Sequence, residues 1–255
     1  METRSPIKGK TLHQAGESLE KEIQTIQDDM LYKFLVYAVM FFTFACIEWL
    51  RYFTNAQPDP WPYTIVALIF IPYAVFRVLR LKKRIRQLHL GREGERAVGE
   101  FLNTLRSKGY AIYHDIVGDD FNIDHVIFAP SGIYTIETKT RSKPVKGVAR
   151  IIVEKEKILV NGMEMDRDAR KQASAQASWL KTVLKDSTGK DLPIQPVIVF
   201  PGWYVENKNG FGDGSVWVLN PKALPAFIEK AKPVILDTDL HLASYHLSRF
   251  IRSTT

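Results

Sequence analysis

The sequence predicts an α/β domain, a mixed β-sheet flanked by helices, preceded by a two-helix transmembrane hairpin. Two observations carry this. Two apolar stretches close to the length of a membrane span lie within residues 34–81. After residue 90, helical periodicity and short apolar runs follow in the order helix, three strands, helix, strand, which suits a mixed sheet with helices on its faces.

Residues 1–33 read as a cytoplasmic amphipathic lead-in. Leu19, Ile23, Ile26 and Met30 recur at intervals of four, three and four, a short heptad seam. Such a seam offers homo-oligomerisation through the N-terminal helices; the alternatives are a helix lying on the lipid headgroups or one continuing into the first span.

The spans are "FLVYAVMFFTFACIEWL" (Phe34–Leu50) and "WPYTIVALIFIPYAVF" (Trp61–Phe76). Both are apolar on every face, which argues against a pair of helices in a soluble core. Glu48 is the one charge, near a helix end where a carboxylate costs little. Trp49, Tyr52, Trp61 and Tyr63 would form an interfacial belt, with Arg77 and Arg80 snorkelling at the other face. Pro72 is expected to kink the second helix. "RLKKRIR" follows the second span whereas the short loop between the spans holds only Arg51, so the positive-inside rule keeps both termini cytoplasmic. The expected location is the inner (cytoplasmic) membrane, multi-pass, with the lipid bilayer as partner. The polar residues ahead of the first apolar run argue against a signal peptide.

Charge separates the regions. The chain of 255 residues carries a net charge of +7. Residues 1–81 are balanced, and over half of the excess falls between Lys82 and Arg96, so 82–90 reads as a basic juxtamembrane linker. The remaining domain, 91–255, is only mildly basic. The single Cys46 excludes an intramolecular disulfide and a cysteine zinc cluster.

Within 91–255, "GREGERAVGEFLNTLRSKGY" is helical, with Ala97, Val98, Phe101, Leu102 and Leu105 on one face and Gly109 as its stop. "YAIYHDIV" is a strand. "ARIIVEKEKILVNG" suggests a hairpin, and "DRDARKQASAQASWLKTVLK" a long helix with Asp166 as N-cap. "IQPVIVFP" and "SVWVLN" are buried strands, and "PKALPAFIEKA" and "DLHLASYHLSRFIRS" are closing helices.

Between these lies "FNIDHVIFAPSGIYTIETKT", a β-hairpin with three charges in apolar runs. An even loop at Pro130–Ser131, or at Ala129–Gly132, pairs Phe128 with Ile133 and hence Asp124 with Glu137, on one face about 5 Å apart. Lys139 lies two residues further on that face. Carboxylates so close repel unless a cation or a proton sits between them, and a hard divalent metal such as Mg²⁺ is the natural occupant. A three-residue loop would turn Asp124 away. Glu95 stands at the edge of the first helix's packing face, and Gln172 and Gln176 fall in the apolar stripe of the second, made by Ala169, Ala173, Trp179, Leu180 and Val183. His125 points away from Asp124 by strand alternation and reads as structural.

"GREGE", then "IDHVIFAPSGIYTIETKT", then "DARKQASAQASWL" together resemble the NERD (nuclease-related) domain of the PD-(D/E)xK nuclease superfamily, over roughly Gly91–Phe200. The resemblance implies a restriction-endonuclease-like fold. By position it implies Asp124 and Glu137 as metal-binding carboxylates, Lys139 as catalytic lysine, Glu95 as the helix acid that joins the metal site, and Gln172 as the glutamine of the following helix. The cofactor would be Mg²⁺ or Mn²⁺ and the partner nucleic acid, DNA before RNA. The expected function is a membrane-anchored, metal-dependent nuclease hydrolysing phosphodiester bonds at the cytoplasmic membrane face, with Arg141, Lys143, Lys146 and Arg150 available to phosphates. The alternative is a catalytically inactive, membrane-tethered module that binds nucleic acid or protein.

Overall fold

A computed structural model describes residues 12–57, 61–119, 121–143, 150–154, 157–165, 169–208, 210 and 215–254. They form two compact units, Ser18–His89 and Leu90–Thr255, the latter joined by the N-terminal residues up to Glu17.

The first unit is an antiparallel helix pair. α1 spans Glu17–Phe53, and α2 spans Trp61–Asn103, of which the residues up to His89 belong here. Tyr37 meets Phe70 edge-on at 4.7 Å and Phe44 meets Tyr63 at 5.3 Å, while Arg84 pairs with Glu22 at 2.6 Å. Each helix holds a window of mean hydropathy 1.9 with none of it buried, so both are candidate membrane spans by length and composition. The heptad seam is the more shielded side of α1, with Ile23 buried and Leu19, Ile26 and Met30 half-buried. From Glu17 the lead-in runs as helix into the first candidate span, its residues 1–11 lying outside the described ones, and residues 82–90 are also helical. Helix α2 continues unbroken through Pro72.

In the second unit, α2 ends in a 3-10 turn, Thr104–Lys108, closed by Gly109 at φ 85°. Only glycine reaches that conformation without penalty, which is why the helix stops there. Then follow β1 (Ala111–Val117), β2 (Asn122–Ala129), β3 (Gly132–Thr138), β4 (Arg150–Glu154), β5 (Lys157–Val160), β6 (Met163–Glu164), α3 (Ala169–Thr188), β7 (Ile194–Val199), β8 (Tyr204–Asn207), β9 (Trp217–Leu219), α4 (Leu224–Lys230) and α5 (Asp237–Thr254).

The central sheet has the order β1-β2-β3-β7-β9, antiparallel up to β3 and parallel from there. Alternation along its strands sends side chains to two cores. Ile112, Ile127 and Ile136 pack with Val98 and Leu102 of α2 and with Ile228 of α4. Val126, Phe128 and Ile133 pack with Leu180 and Leu184 of α3 and with Leu247 of α5. The expected mixed sheet flanked by helices is therefore present. Ala97 is exposed rather than part of the α2 face.

The predicted hairpin after residue 150 forms as β4–β5, but outside the central sheet. It joins β6 and β8 in a four-stranded sheet, and Ile151, Val153 and Ile158 pack on Ala169, Ala173 and Trp203. β8 escaped sequence reading because "YVEN" follows a turn and has no apolar run. Asp166, expected as N-cap of α3, lies outside the described residues.

Candidate active site

Geometry at the site follows from hairpin parity. Ala129 pairs with Gly132 and Phe128 with Ile133, so the loop is Pro130–Ser131 and the even count holds. Backbone pairing between β2 and β3 runs to His125–Ile136, and there the strands part. The next position in register sets Asp124 against Glu137. Instead of a backbone carbonyl, Asp124 Oδ2 accepts the Thr138 N–H at 2.6 Å. A carboxylate thus replaces a ladder bond where the sheet opens.

Glu137 is buried in β3 with both oxygens engaged. Oε1 accepts from Lys139 Nζ at 2.6 Å and Oε2 from Gln176 Nε2 at 2.6 Å. Lys139 also donates to Gln172 Oε1 at 2.9 Å, and its backbone N–H bonds Val199 O of β7. The ammonium is held by two neighbours from two elements, a fixed cation at the rim of the site. The sequence placed both glutamines on the stripe of α3, but they divide. Gln172 is exposed and reaches Lys139, whereas Gln176 is 1% exposed and bonds Glu137 and the carbonyl of Asn122. The resemblance supplied Gln172 alone; burial of a polar residue in an alanine-rich stripe was the available signal for Gln176.

Glu95 comes to the cluster from α2. Burial, then the charges of Asp115 and Glu137, push its carboxyl up to about 8, against the pull of Lys139. Burial, then Glu137 and Glu95, hold Asp124 well above the usual carboxylate range, although the Thr138 N–H and Lys139 oppose this. Glu95, Asp124, Glu137 and Lys139 are therefore electrostatically one group.

Asp115 was missed by sequence reading. It is buried in β1, and the register His114–His125, Ile116–Ile123 sets it against Asp124. Asp115, Asp124 and Glu137 thus occupy one row across three strands. Its φ is +50°, a left-handed conformation costing a non-glycine residue about 1–2 kcal/mol. The apolar pattern turns over at this row. Ile112 and Ile127 lie in the core under α2, Ile116 and Ile123 in the core under α3 and α5. The argument that flagged an Asp inside an apolar run at 124 applies equally to "YHDIV".

His125, read from the sequence as structural, lies in the core beside His114. It is fully buried, and its Nδ1 lies 2.9 Å from His114 Nδ1. Of the basic residues, Arg150 is engaged by Glu206 at 3.1 Å, Arg141 and Lys143 are exposed, and Lys146 lies outside the described residues.

The donor set suits a hard cation: carboxylates with raised proton affinity, one lysine against them, and a buried Gln176 Oε1 without a partner. Among the described residues, no group of three or more His, Cys, Asp or Glu side chains is placed to hold a metal ion.

Residues 90–201 match the family described as NERD, nuclease-related domain. The match sets a NERD domain at residues 90–201. The hairpin, the site row, the end of α2 that carries Glu95, and α3 lie within that segment. An uncharacterized protein of Bacillus anthracis is 35% identical over 54 residues, covering 19% of this chain and 26% of that relative, so the chain spans about a quarter of the length of the curated relative it matches. No solved structure matches the chain.

Proposed function

We propose that this protein is a membrane-anchored, divalent-metal-dependent nuclease that hydrolyses phosphodiester bonds of DNA or RNA at the cytoplasmic face of the inner membrane. The observation that carries the reading is the Lys139 ammonium fixed between Glu137 and Gln172 beside Asp124 and Glu95, inside a nuclease-related domain.

Asp124 and Glu95, with Glu137, would hold Mg²⁺ or Mn²⁺; bound there, the cation would offset charge on the scissile phosphate. Lys139 orients the attacking water, and its ammonium faces the phosphoryl oxygens as negative charge grows on them. Gln172 sets the ammonium's direction. Gln176 holds Glu137 from behind, so the carboxylate does not swing as the substrate arrives. The candidate membrane helices support the anchor, and the basic run after the second span supports cytoplasmic termini.

One observation favours the second reading, an inactive tethered module that binds nucleic acid or protein: Glu137 already spends both oxygens on protein partners. The test is cleavage of labelled single- and double-stranded DNA and RNA by the full chain in lipid nanodiscs, with Mg²⁺, Mn²⁺ or EDTA, beside Lys139→Ala. Metal-dependent cleavage lost in the variant is expected, by about 10²–10³-fold for loss of a preorganised electrostatic donor. Binding without cleavage under every condition would select the second reading.

A further inference from the structure

The site row is braced by a segment on the far side of the first membrane helix in sequence. Residues 12–16 precede α1, yet together with Glu17 they belong to the compact unit that holds the NERD domain. His13 is 7% exposed, and its Nδ1 lies 2.7 Å from the backbone carbonyl of Asp115. Facing a carbonyl oxygen, that ring nitrogen carries the hydrogen and donates. The bond lands on the left-handed residue of the site, where a backbone carbonyl has been rotated out of the regular ladder direction.

The neighbouring contacts show a seat built for this segment. A Cβ at Gly99 of α2 would lie 2.6 Å from the Ala15 Cβ, closer than carbon atoms approach. Gly16 has φ +73°, and a Cβ there would stand 3.1 Å from Arg92 Cγ. The Gln14 N–H donates to Glu17 Oε2 at 3.0 Å, which closes the turn into α1. Glycine at 99 lets the strap lie flat on α2, and glycine at 16 lets it turn away into the membrane helix.

We propose that residues 12–17 are an integral strap of the nuclease domain and that His13 is a positioning residue, holding Asp115 in its left-handed conformation so that its carboxylate stays in the row with Asp124 and Glu137. Asp115 then acts as a further carboxylate supporting the divalent cation. The metal part rests on the proposed function; the strap itself does not. A soluble piece beginning after the second span lacks this brace, so the NERD domain alone is an incomplete enzyme.

The experiment uses the full chain in nanodiscs, wild type and three variants: His13→Ala, His13→Asn, whose amide nitrogen can replace Nδ1 as donor, and Gly99→Ala, which displaces Ala15. Two readouts are taken, hydrogen exchange of the β1 amides relative to those of β7, and Mn²⁺ affinity by titration. His13→Ala and Gly99→Ala are expected to speed exchange in β1 about tenfold with β7 unchanged, as for loss of one hydrogen bond. They should weaken Mn²⁺ about 10–100-fold, as loss of a bond that orients a ligand does. His13→Asn should recover most of both. Unchanged β1 exchange in His13→Ala and Gly99→Ala overturns the strap. Faster exchange with Mn²⁺ affinity unchanged overturns the role of Asp115. If the wild type binds no Mn²⁺, the metal reading and the role of Asp115 fall together, and the exchange result alone decides the strap.

Discussion

Two neighbouring positions of the β1–β2 ladder, His114 against His125 and Asp115 against Asp124, respond to the same burial in opposite ways. Both place titratable groups in the interior, and burial drives both toward neutrality. The histidines reach it by giving up a proton and bonding each other. Asn103 Oδ1, which also accepts from Arg106 Nε, takes the His114 Nε2–H at 3.1 Å, so His114 Nδ1 is the acceptor and His125 Nδ1–H the donor. Only the His125 Nε2 lone pair is left over. Asp124 cannot settle this way, because Glu137 and Glu95 face it, with the Thr138 N–H and Lys139 as the opposing pull. Adjacent rungs thus set a mutually bonded histidine pair beside an aspartate whose charge its neighbours oppose.

The sharpest way to break the comparison is to neutralise each rung. Asp124→Asn should abolish metal-dependent cleavage, by at least about a hundredfold, while the metal-free protein gains thermal stability because a repelled, buried charge is gone. A variant that loses cleavage and stability together would assign Asp124 to the core. The histidine rung should show the reverse, cleavage kept and stability lost.

The rungs also differ in the sign of their pH dependence. Glu95 is lifted from 4.5 to about 8, so between those values the folded chain holds a proton the unfolded chain has released. That contribution is present at low pH and is lost as pH rises through about 8. Burial, then Arg106, lowers His114 from 6.5 to about 4, so its contribution is present above 6.5 and is lost as pH falls toward 4. Guanidinium unfolding of the metal-free chain across this range should show both limbs. Glu95→Gln should flatten the alkaline one alone, and Mg²⁺ should offset it, since ligation takes the ionised carboxylates. An alkaline limb unchanged in Glu95→Gln would remove Glu95 from the group.

His125→Ala is the smaller structural counterpart. It leaves the His114 Nδ1 lone pair buried without its donor, a loss of about 1–3 kcal/mol. Unfolding midpoints measure it, and cleavage per folded molecule should stay near wild type. A loss of cleavage with stability intact would return His125 to the candidate bases.

The hairpin was legible because strand periodicity is two, so one parity argument placed Asp124, Glu137 and Lys139 relative to one another before any fold was known. Glu95 and Gln172 came from resemblance, since a helix face shows which side is polar and not what it meets. Asp115 stayed hidden for a different reason. Its place in the row needs the β1–β2 register, and the connection "GDDF" between those strands fixes no loop parity as Pro130–Ser131 does. The strap was harder still. His13 and Asp115 are 102 residues apart, and no local pattern links a lead-in before a membrane helix to a strand after it. The two apolar helices are the opposite case: their candidacy as membrane spans is read from hydropathy alone, because a span depends on composition and not on partners.

The finest test separates the backbone of Asp115 from its charge. At φ +50° asparagine is tolerated far better than alanine, because its short amide side chain can bond locally in the left-handed region. Asp115→Asn and Asp115→Ala remove the same carboxylate, so both should lower the Glu95 carboxyl by relieving the same repulsion, which carboxyl-resolved NMR titration would report. They should differ in stability by about 1 kcal/mol in favour of asparagine, the cost of the left-handed backbone. Equal stability would mean that β1 relaxes to ordinary strand geometry once the carboxylate is gone. In that case repulsion within the row, rather than the His13 bond, sets the turn at Asp115, and the asymmetry between the two rungs is electrostatic in origin.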